Sequence, residues 1–453
     1  MSLKSTNPWT GQVIEEFKEF SGRELESLLV KSGEAFEKWK RTEFNTRNTL
    51  IKKVSGLLNE NADQYARAIT IEMGKPVSES KAEIKKCAWV CDYYAENAEK
   101  FLSPESVDTD ADNSYIYYEP LGTILGIMPW NFPFWQVFRF AVPTIMAGNT
   151  VLLKHASNVQ ICARIIENIF SEAGFPESVF CNLVIGSGKV EKIIEHDIVK
   201  AVSLTGSEFA GQNVAGTAGR NTKKVLLELG GSNAFVVLAD ADLEKAVETG
   251  IKARMQNAGQ SCIAAKRFIV HEKISERFID LFVEGLKKLK QGDPMAEGTD
   301  LGPLASISQA EWVAEQVKIS IDMGARMIVG GKPHKALYPP ELLTDVKPGM
   351  PVFDEEVFGP VAPVIIAGNT AEAVSLANQT RFGLGVSLFT NDLEKAEKLV
   401  HEFNDGAVFI NDLVKSDPRL PFGGTNHSGF GRELSIQGIR EFVNVKTVYI
   451  KKI

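Results

Sequence analysis

Cysteine is scarce in this chain: 453 residues hold five (Cys87, Cys91, Cys162, Cys181, Cys262), an odd number with no CxxC pair. That count excludes a disulfide framework and fits reduced thiols. Long apolar runs are missing too. Stretches such as Ala141–Ala147 and Phe235–Ala239 fall far below the roughly 20 residues that cross a bilayer. Met1 to Asn7 lack the basic segment and apolar core of a secretory leader, so a cytoplasmic location is expected. Positive charge is not in excess: the formal net charge is -8 and the lysines and arginines are scattered, which leaves no nucleic-acid footprint. The six histidines are isolated and none sits at ligand spacing from a cysteine, so metal binding has no support. Internal repeats and low-complexity linkers are absent. What is present, 44% hydrophobic and 24% charged residues, is enough for two or more cores and makes small-molecule chemistry the default.

The first hundred residues read mainly as helices, for example Glu24–Trp39 and Thr46–Gly74, with apolar residues every three or four positions. An alternating run, Asn113–Glu119, and an apolar strand, Gly122–Met128, follow. Strands and helices then take turns. Val151–Lys154, a helix near Val159–Ala173, Cys181–Ile185, Ala201–Leu204, a helix after Gly206 and Lys224–Leu227 form one series. A second comprises Ala234–Leu238, a helix over Leu243–Gln256, Arg267–His271, a helix over Ile274–Lys290, Arg326–Val329, Val361–Ile366, Val386–Phe389 and Ala407–Ile410. Short apolar strands separated by helices predict parallel sheets covered on both faces, hence an α/β class with two such units. The closing Asn444–Lys452 alternates like a strand with no helix after it, so it either closes its own sheet or adds to a neighbour's edge.

Cys262 ends Asn257-Ala-Gly-Gln-Ser-Cys262, a glycine-containing loop between a helix and a strand, where a residue can face a cleft. A thiol there is nucleophilic and suited to thioester formation; the alternative is a buried structural cysteine. Glu228 interrupts an apolar strand just before two glycines, so its carboxyl should be desolvated and able to act as a general base, or else pair with a lysine. Asn131 lies in Met128-Pro-Trp-Asn-Phe-Pro133, where two prolines hold it for oxyanion donation or for capping a turn. Gly206-Ser-Glu-Phe-Ala-Gly211 opens a helix whose backbone N–H groups suit a phosphate.

Five segments in order along essentially the whole chain, Pro129-Trp-Asn-Phe-Pro133, Leu227-Glu-Leu-Gly-Gly231, Gly259-Gln-Ser-Cys262, Glu356-Val-Phe-Gly-Pro360 and Pro421-Phe-Gly-Gly424 with Ser428-Gly-Phe-Gly-Arg-Glu433, resemble the aldehyde dehydrogenase superfamily. The resemblance implies two Rossmann-like three-layer α/β/α domains and a β-strand oligomerisation arm. The dinucleotide-binding domain would take residues 1–110 and 121–232 with 428–442, the catalytic domain 233–427, and the arm 111–120 and 443–453. It implies that Cys262 attacks the aldehyde, that Asn131 and the Cys262 N–H hold the oxyanion, and that Glu228 activates the hydrolytic water. NADP or NAD would be held by Trp130, Lys154, Ser157, Gly206, Ser207, Leu229, Glu356 and Phe358, with a homodimer or homotetramer as the assembly.

Within that superfamily the chain looks most like the bacterial succinate-semialdehyde dehydrogenases, through Trp135-Gln-Val-Phe-Arg139, Lys154-His-Ala156, Tyr338-Pro-Pro340 and Ser416-Asp-Pro-Arg-Leu-Pro421. Arg139, two helical turns beyond Asn131, would meet the distal carboxylate of succinate semialdehyde with Ser416, a structural ion pair being the alternative. Gln256 stands where some relatives carry a second arginine, and Arg254 or Arg419 are candidates to compensate. Ala264 stands where some carry a second cysteine, which excludes a disulfide lock on Cys262. Ser157 replaces the glutamate usual in NAD-selective relatives and removes a charge that repels a 2′-phosphate, so NADP acceptance is expected. Competing readings are another aldehyde such as glutarate semialdehyde, a CoA-acylating enzyme, which usually lacks the glutamate, and a silent binding protein, which typically loses the nucleophile.

Overall fold

The computed structural model describes residues 2–452; residues 1 and 453, the outermost of the expected first domain and arm, lie outside the described residues. The helical layer forms as the periodicity requires. Gly22–Trp39 starts at a capping box, Ser21 accepting from the Glu24 N–H while the Glu24 side chain accepts from Ser21. The expected single helix over Thr46–Gly74 is two, Phe44–Glu60 and Ala62–Met73, because Asn61 leaves helical geometry at φ -107°, ψ 20°. Gly74 closes the second at φ +84°, where a Cβ would stand 2.8 Å from Pro303. The 25-residue helix Val77–Phe101 follows. A hairpin of Ser2–Thr6 with Val13–Lys18 precedes this layer and was not read from the sequence.

Two sheets organise the rest. The six-stranded sheet runs Gly429–Phe430, Lys224–Glu228, Val199–Thr205, Thr123–Met128, Thr150–His155, Phe180–Asn182, parallel except for the first strand. Its strands alternate between two cores: Ile124, Val151, Leu153 and Leu226 face the large helical cluster, while Leu125, Leu152, Val202 and Leu227 face a smaller one with Leu25 and Leu29. Period-two side-chain direction thus buries both faces, which accounts for the near-continuous apolar strands. The seven-stranded sheet runs Arg326–Val329, Glu341–Thr344, Val361–Ala367, Arg267–His271, Ala234–Val237, Val386–Phe389, Val408–Ile410 and is parallel apart from its first pair.

The terminal strand Val443–Ile450 pairs antiparallel with Asn113–Pro120 along its full length, and Glu105–Ser106 adds a third strand that the sequence reading lacked. Among the described residues, no helix is long and apolar enough to cross a membrane.

Candidate functional site

The site begins where the helix Leu243–Met255 stops. Asn257, Ala258 and Gly259 take φ values of 54°, 50° and 75° in succession, a left-handed run that costs about 1–2 kcal/mol per non-glycine residue. Four contacts hold it. The Asn257 N–H donates to Glu79 Oε2 at 2.8 Å, and Asn257 Nδ2 donates to the carbonyls of Asn131 and Gln260 at 2.8 and 3.1 Å. Gly259 lies against Gly359, so closely that a Cβ would collide with its carbonyl. The turn that follows presents Cys262.

Cys262 is half-buried. Burial pushes its thiol up to about 11, with Lys266 and Arg139 pulling it down and Glu356 and Glu228 opposing them. Lys266 Nζ donates to the Cys262 carbonyl at 2.8 Å and to Glu356 Oε1 at 2.7 Å, and the Gly231 N–H reaches the same carboxylate oxygen at 3.1 Å. Asn131 is buried beside this loop. Its Nδ2 donates to the Gln260 carbonyl at 2.9 Å, and its Oδ1 accepts from Gln136 Nε2 at 3.0 Å, which fixes which end of the amide is the donor. One hydrogen of Nδ2 is thereby left over.

Two cavities of about 310 Å³ each share Cys262 and Gln136. The first is walled by Trp130, Asn131, Gly206, Ser207, Leu229, Gly230, Glu356 and Phe358, and so gathers most of the residues expected at a cofactor. Ser207 caps the helix Glu208–Arg220, accepting from the Ala210 N–H at 3.3 Å, which aims the positive end of that helix at the cavity edge. Trp130 and Phe358 meet edge to face at 5.8 Å. A Cβ at Gly230 would strike the Glu356 carboxylate and displace it from its place on this wall. Ring-lined walls, a helix N-terminus and a carboxylate able to accept from ribose hydroxyls fit the nicotinamide end of a dinucleotide. Lys154, at the end of Thr150–His155, and the exposed Ser157 line neither cavity.

Residues of the second cavity include Glu79, Lys86, Trp135, Arg139, Ser416 and Phe422. Arg139 is buried here in an ion pair with Glu433, with Nη2 3.3 Å from Thr205 Oγ1 and its guanidinium stacked on Phe422 at 4.6 Å. Ser416 Oγ accepts from Lys86 Nζ at 2.8 Å and Trp135 Nε1 at 3.0 Å. Neither candidate for the missing second arginine lines this space. Arg254 is fully buried against the Val357 and Gly359 carbonyls, where it braces the loop, and Arg419 is turned outward onto Asp417.

Glu228 ends its strand opposite Thr205 and Gly429, buried, with neither carboxyl oxygen hydrogen-bonded among the described residues. Burial holds its carboxyl well above the usual carboxylate range, the Glu433 charge adds to this, and Arg139 and Arg432 oppose it. It leans on Gly423, where a Cβ would be 2.7 Å from Oε1, and lines neither cavity.

Sequence reasoning missed Lys266, Gln136, Glu79 and Lys86. A signal for the last two existed: Glu79, Glu83 and Lys86, four and three apart, share one helical face. Gln136 was visible only as an amide in an apolar helix.

Residues 1–448 match the model of the aldehyde dehydrogenase family. A probable succinate-semialdehyde dehydrogenase (NADP+) of Synechocystis sp. is 48% identical over 453 residues, covering 99% of this chain and 100% of the relative. A succinate-semialdehyde dehydrogenase (NADP+) of Mycobacterium avium is 45% identical, over 99% of this chain and 97% of its own. The crystal structure of succinic semialdehyde dehydrogenase from Streptococcus pyogenes in complex with NADP+ superposes with a TM-score of 0.97 at 35% identity, over 99% of this chain and 100% of that one.

Proposed function

The chain belongs to the aldehyde dehydrogenase family, and from that premise we propose that it oxidises succinate semialdehyde to succinate with NADP as electron acceptor. The observation that carries this reading is the position of Cys262 on the wall shared by two cavities, one fitted to a nicotinamide and one bearing cations. The relatives reported above are named for this substrate and this cofactor.

In this reading the Cys262 thiol loses its proton to water, its sulfur bonds to the aldehyde carbon, and the oxyanion that forms takes hydrogen bonds from the remaining Asn131 amide hydrogen and the Cys262 N–H. Gln136 keeps the Asn131 amide pointing its nitrogen at that oxygen. A nicotinamide cofactor held in the cavity walled by Trp130, Glu356 and Phe358 would supply the hydride acceptor for the same carbon. A thioester on Cys262 remains, and Glu228 removes a proton from the water that cleaves it, giving the acid and the free thiol. Its high proton affinity suits a base working near neutrality. The swing that brings Glu228 from Gly423 to the thioester belongs to this reading.

Trp130, Gly206, Ser207, Leu229, Glu356 and Phe358 hold the nicotinamide half, and Lys154 and Ser157 serve the adenosine ribose beyond it. Arg139 and Ser416 face the far end of the substrate. The exposed apolar residues of the paired terminal strands, Tyr117, Val445, Tyr449 and Ile450, support a homodimer or homotetramer, and the chain would work in the cytoplasm.

The test is a panel of succinate semialdehyde, glutarate semialdehyde and butyraldehyde, each with NADP and NAD. Succinate semialdehyde with NADP should give the highest kcat/KM. A ratio near one against butyraldehyde, or a hundredfold preference for NAD, would overturn the assignment.

A further inference from the structure

The substrate-side cavity contains a cation that none of the roles above uses. Lys86, on the helix Val77–Phe101, holds its ammonium 4.2 Å from the centre of the Trp135 ring and donates to Ser416 Oγ at 2.8 Å. No carboxylate among the described residues lies within 4 Å of it, whereas Arg139 carries Glu433. Lys252 and Lys415 also line the cavity, but both are exposed, and Lys415 pairs with Asp412 at 2.5 Å. Lys86 is therefore the sheltered, uncompensated positive charge of this space.

Its neighbours explain the cost of that position. Burial drives the Lys86 ammonium down to about 8, the Arg139 charge adds to the fall, and Cys87, Glu83 and Asp417 oppose it only from a distance. An incoming carboxylate would remove that cost. Ser416 is prepared for the same partner: its oxygen already accepts from Lys86 and from Trp135 Nε1, so what remains to it is its own O–H as a donor. A point charge and a hydroxyl donor thus converge on one corner of the cavity that Cys262 also lines.

We propose that Lys86, with the Ser416 hydroxyl, is the principal partner of the distal carboxylate of an ω-carboxylated aldehyde, while Arg139, already neutralised by Glu433, contributes a weaker charge through the wall. This rests on the reading of the substrate as a carboxylated aldehyde. It makes Lys86 the specificity-determining residue in the place where Gln256 offers no charge.

The decisive quantity is the ratio of kcat/KM for succinate semialdehyde to that for butyraldehyde, measured in wild type, Lys86→Met, Lys86→Gln and Lys86→Arg. Loss of one charge-assisted hydrogen bond lowers such a ratio by about 10- to 100-fold, expected in both the Met and Gln variants, with Arg keeping most of it. Methionine suits the apolar walls and glutamine preserves a donor to Ser416, so one serves if the other fails to fold. In wild type the ratio should also decline above about pH 8, as the ammonium is lost, and Lys86→Arg should hold it level. A ratio within threefold of wild type in both neutral variants, or a parallel fall for both aldehydes, overturns the role of Lys86. A wild-type ratio near one instead overturns the substrate reading beneath it.

Discussion

Lys266 Nζ holds Glu356 Oε1 at 2.7 Å, and with its other hydrogens it reaches the carbonyl of Cys262 at 2.8 Å. One buried ammonium therefore ties the peptide of Cys262 to a carboxylate on the wall of the neighbouring cavity. The Gly231 N–H accompanies it on the same oxygen.

Replacing Lys266 with methionine removes both bonds and leaves a carboxylate short of its cation. Breaking a fully buried pair costs about 3–5 kcal/mol, but Glu356 keeps 22% of its side chain exposed, so about 1–2 kcal/mol is expected here. Urea unfolding measures it. An unchanged midpoint would show that the bridge contributes nothing.

The Cys262 thiol, pushed up to about 11 by burial, is almost wholly protonated at neutral pH. Its alkylation by iodoacetamide should accelerate about tenfold per pH unit between 7 and 10. A plateau below pH 9 would show a thiolate already formed. Cys262→Ala should lower kcat/KM by about four orders of magnitude or more, and intact-protein mass should then show no adduct at this position.

Glu228→Gln should separate the two halves of the reaction. One equivalent of reduced cofactor per site is expected in the first turnover, followed by a steady state slower by about 10² to 10³, seen by stopped flow. A loss of the burst itself would move Glu228 to the first half.

The same substitution has a consequence for stability. A carboxyl whose folded pKa lies above its unfolded value binds its proton more tightly in the native state, so stability falls as pH rises from about 4.5 toward the folded value. Glu228→Gln escapes that penalty. It should be more stable than wild type by about 1–2 kcal/mol at pH 8, with the gain shrinking toward pH 5 in urea titrations at each pH. A gain independent of pH would mean that the carboxyl is not the source.

Ser157→Glu places a carboxylate on the turn after Thr150–His155, where a 2′-phosphate is expected. kcat/KM for NADP should drop about 100-fold while that for NAD changes less than tenfold, from initial rates with each cofactor. Equal losses would take Ser157 out of the cofactor site.

How far the molecule could be read beforehand follows from which forces act along the chain and which act across it. The strands were legible because their apolar runs record burial on both faces, and the burial of Glu228 because it interrupts such a run. The break at Asn61 was hidden, since the apolar period continues through it while the backbone does not. The ion pair of Arg139 joins residues nearly three hundred positions apart, and no local pattern names Glu433 as its partner. Lys266 is similar: its role appears only when Glu356 is folded against it. The left-handed run starts at Asn257 and Ala258, ahead of the glycine that ends it, and is held by Glu79 from another layer.

The shared wall at Cys262 has one more implication. A sulfur reached through two separate chambers imposes no common queue on what visits it. In the proposed reaction a carrier held on the Trp130 side would be free to exchange while an acyl group sits on the thiol, and an acid on the Phe422 side would leave without passing it. Each side can then be tuned by residues remote from the other, so a change at Lys86 and a change at Ser157, which lies outside both cavities, should combine additively in the free energies of kcat/KM.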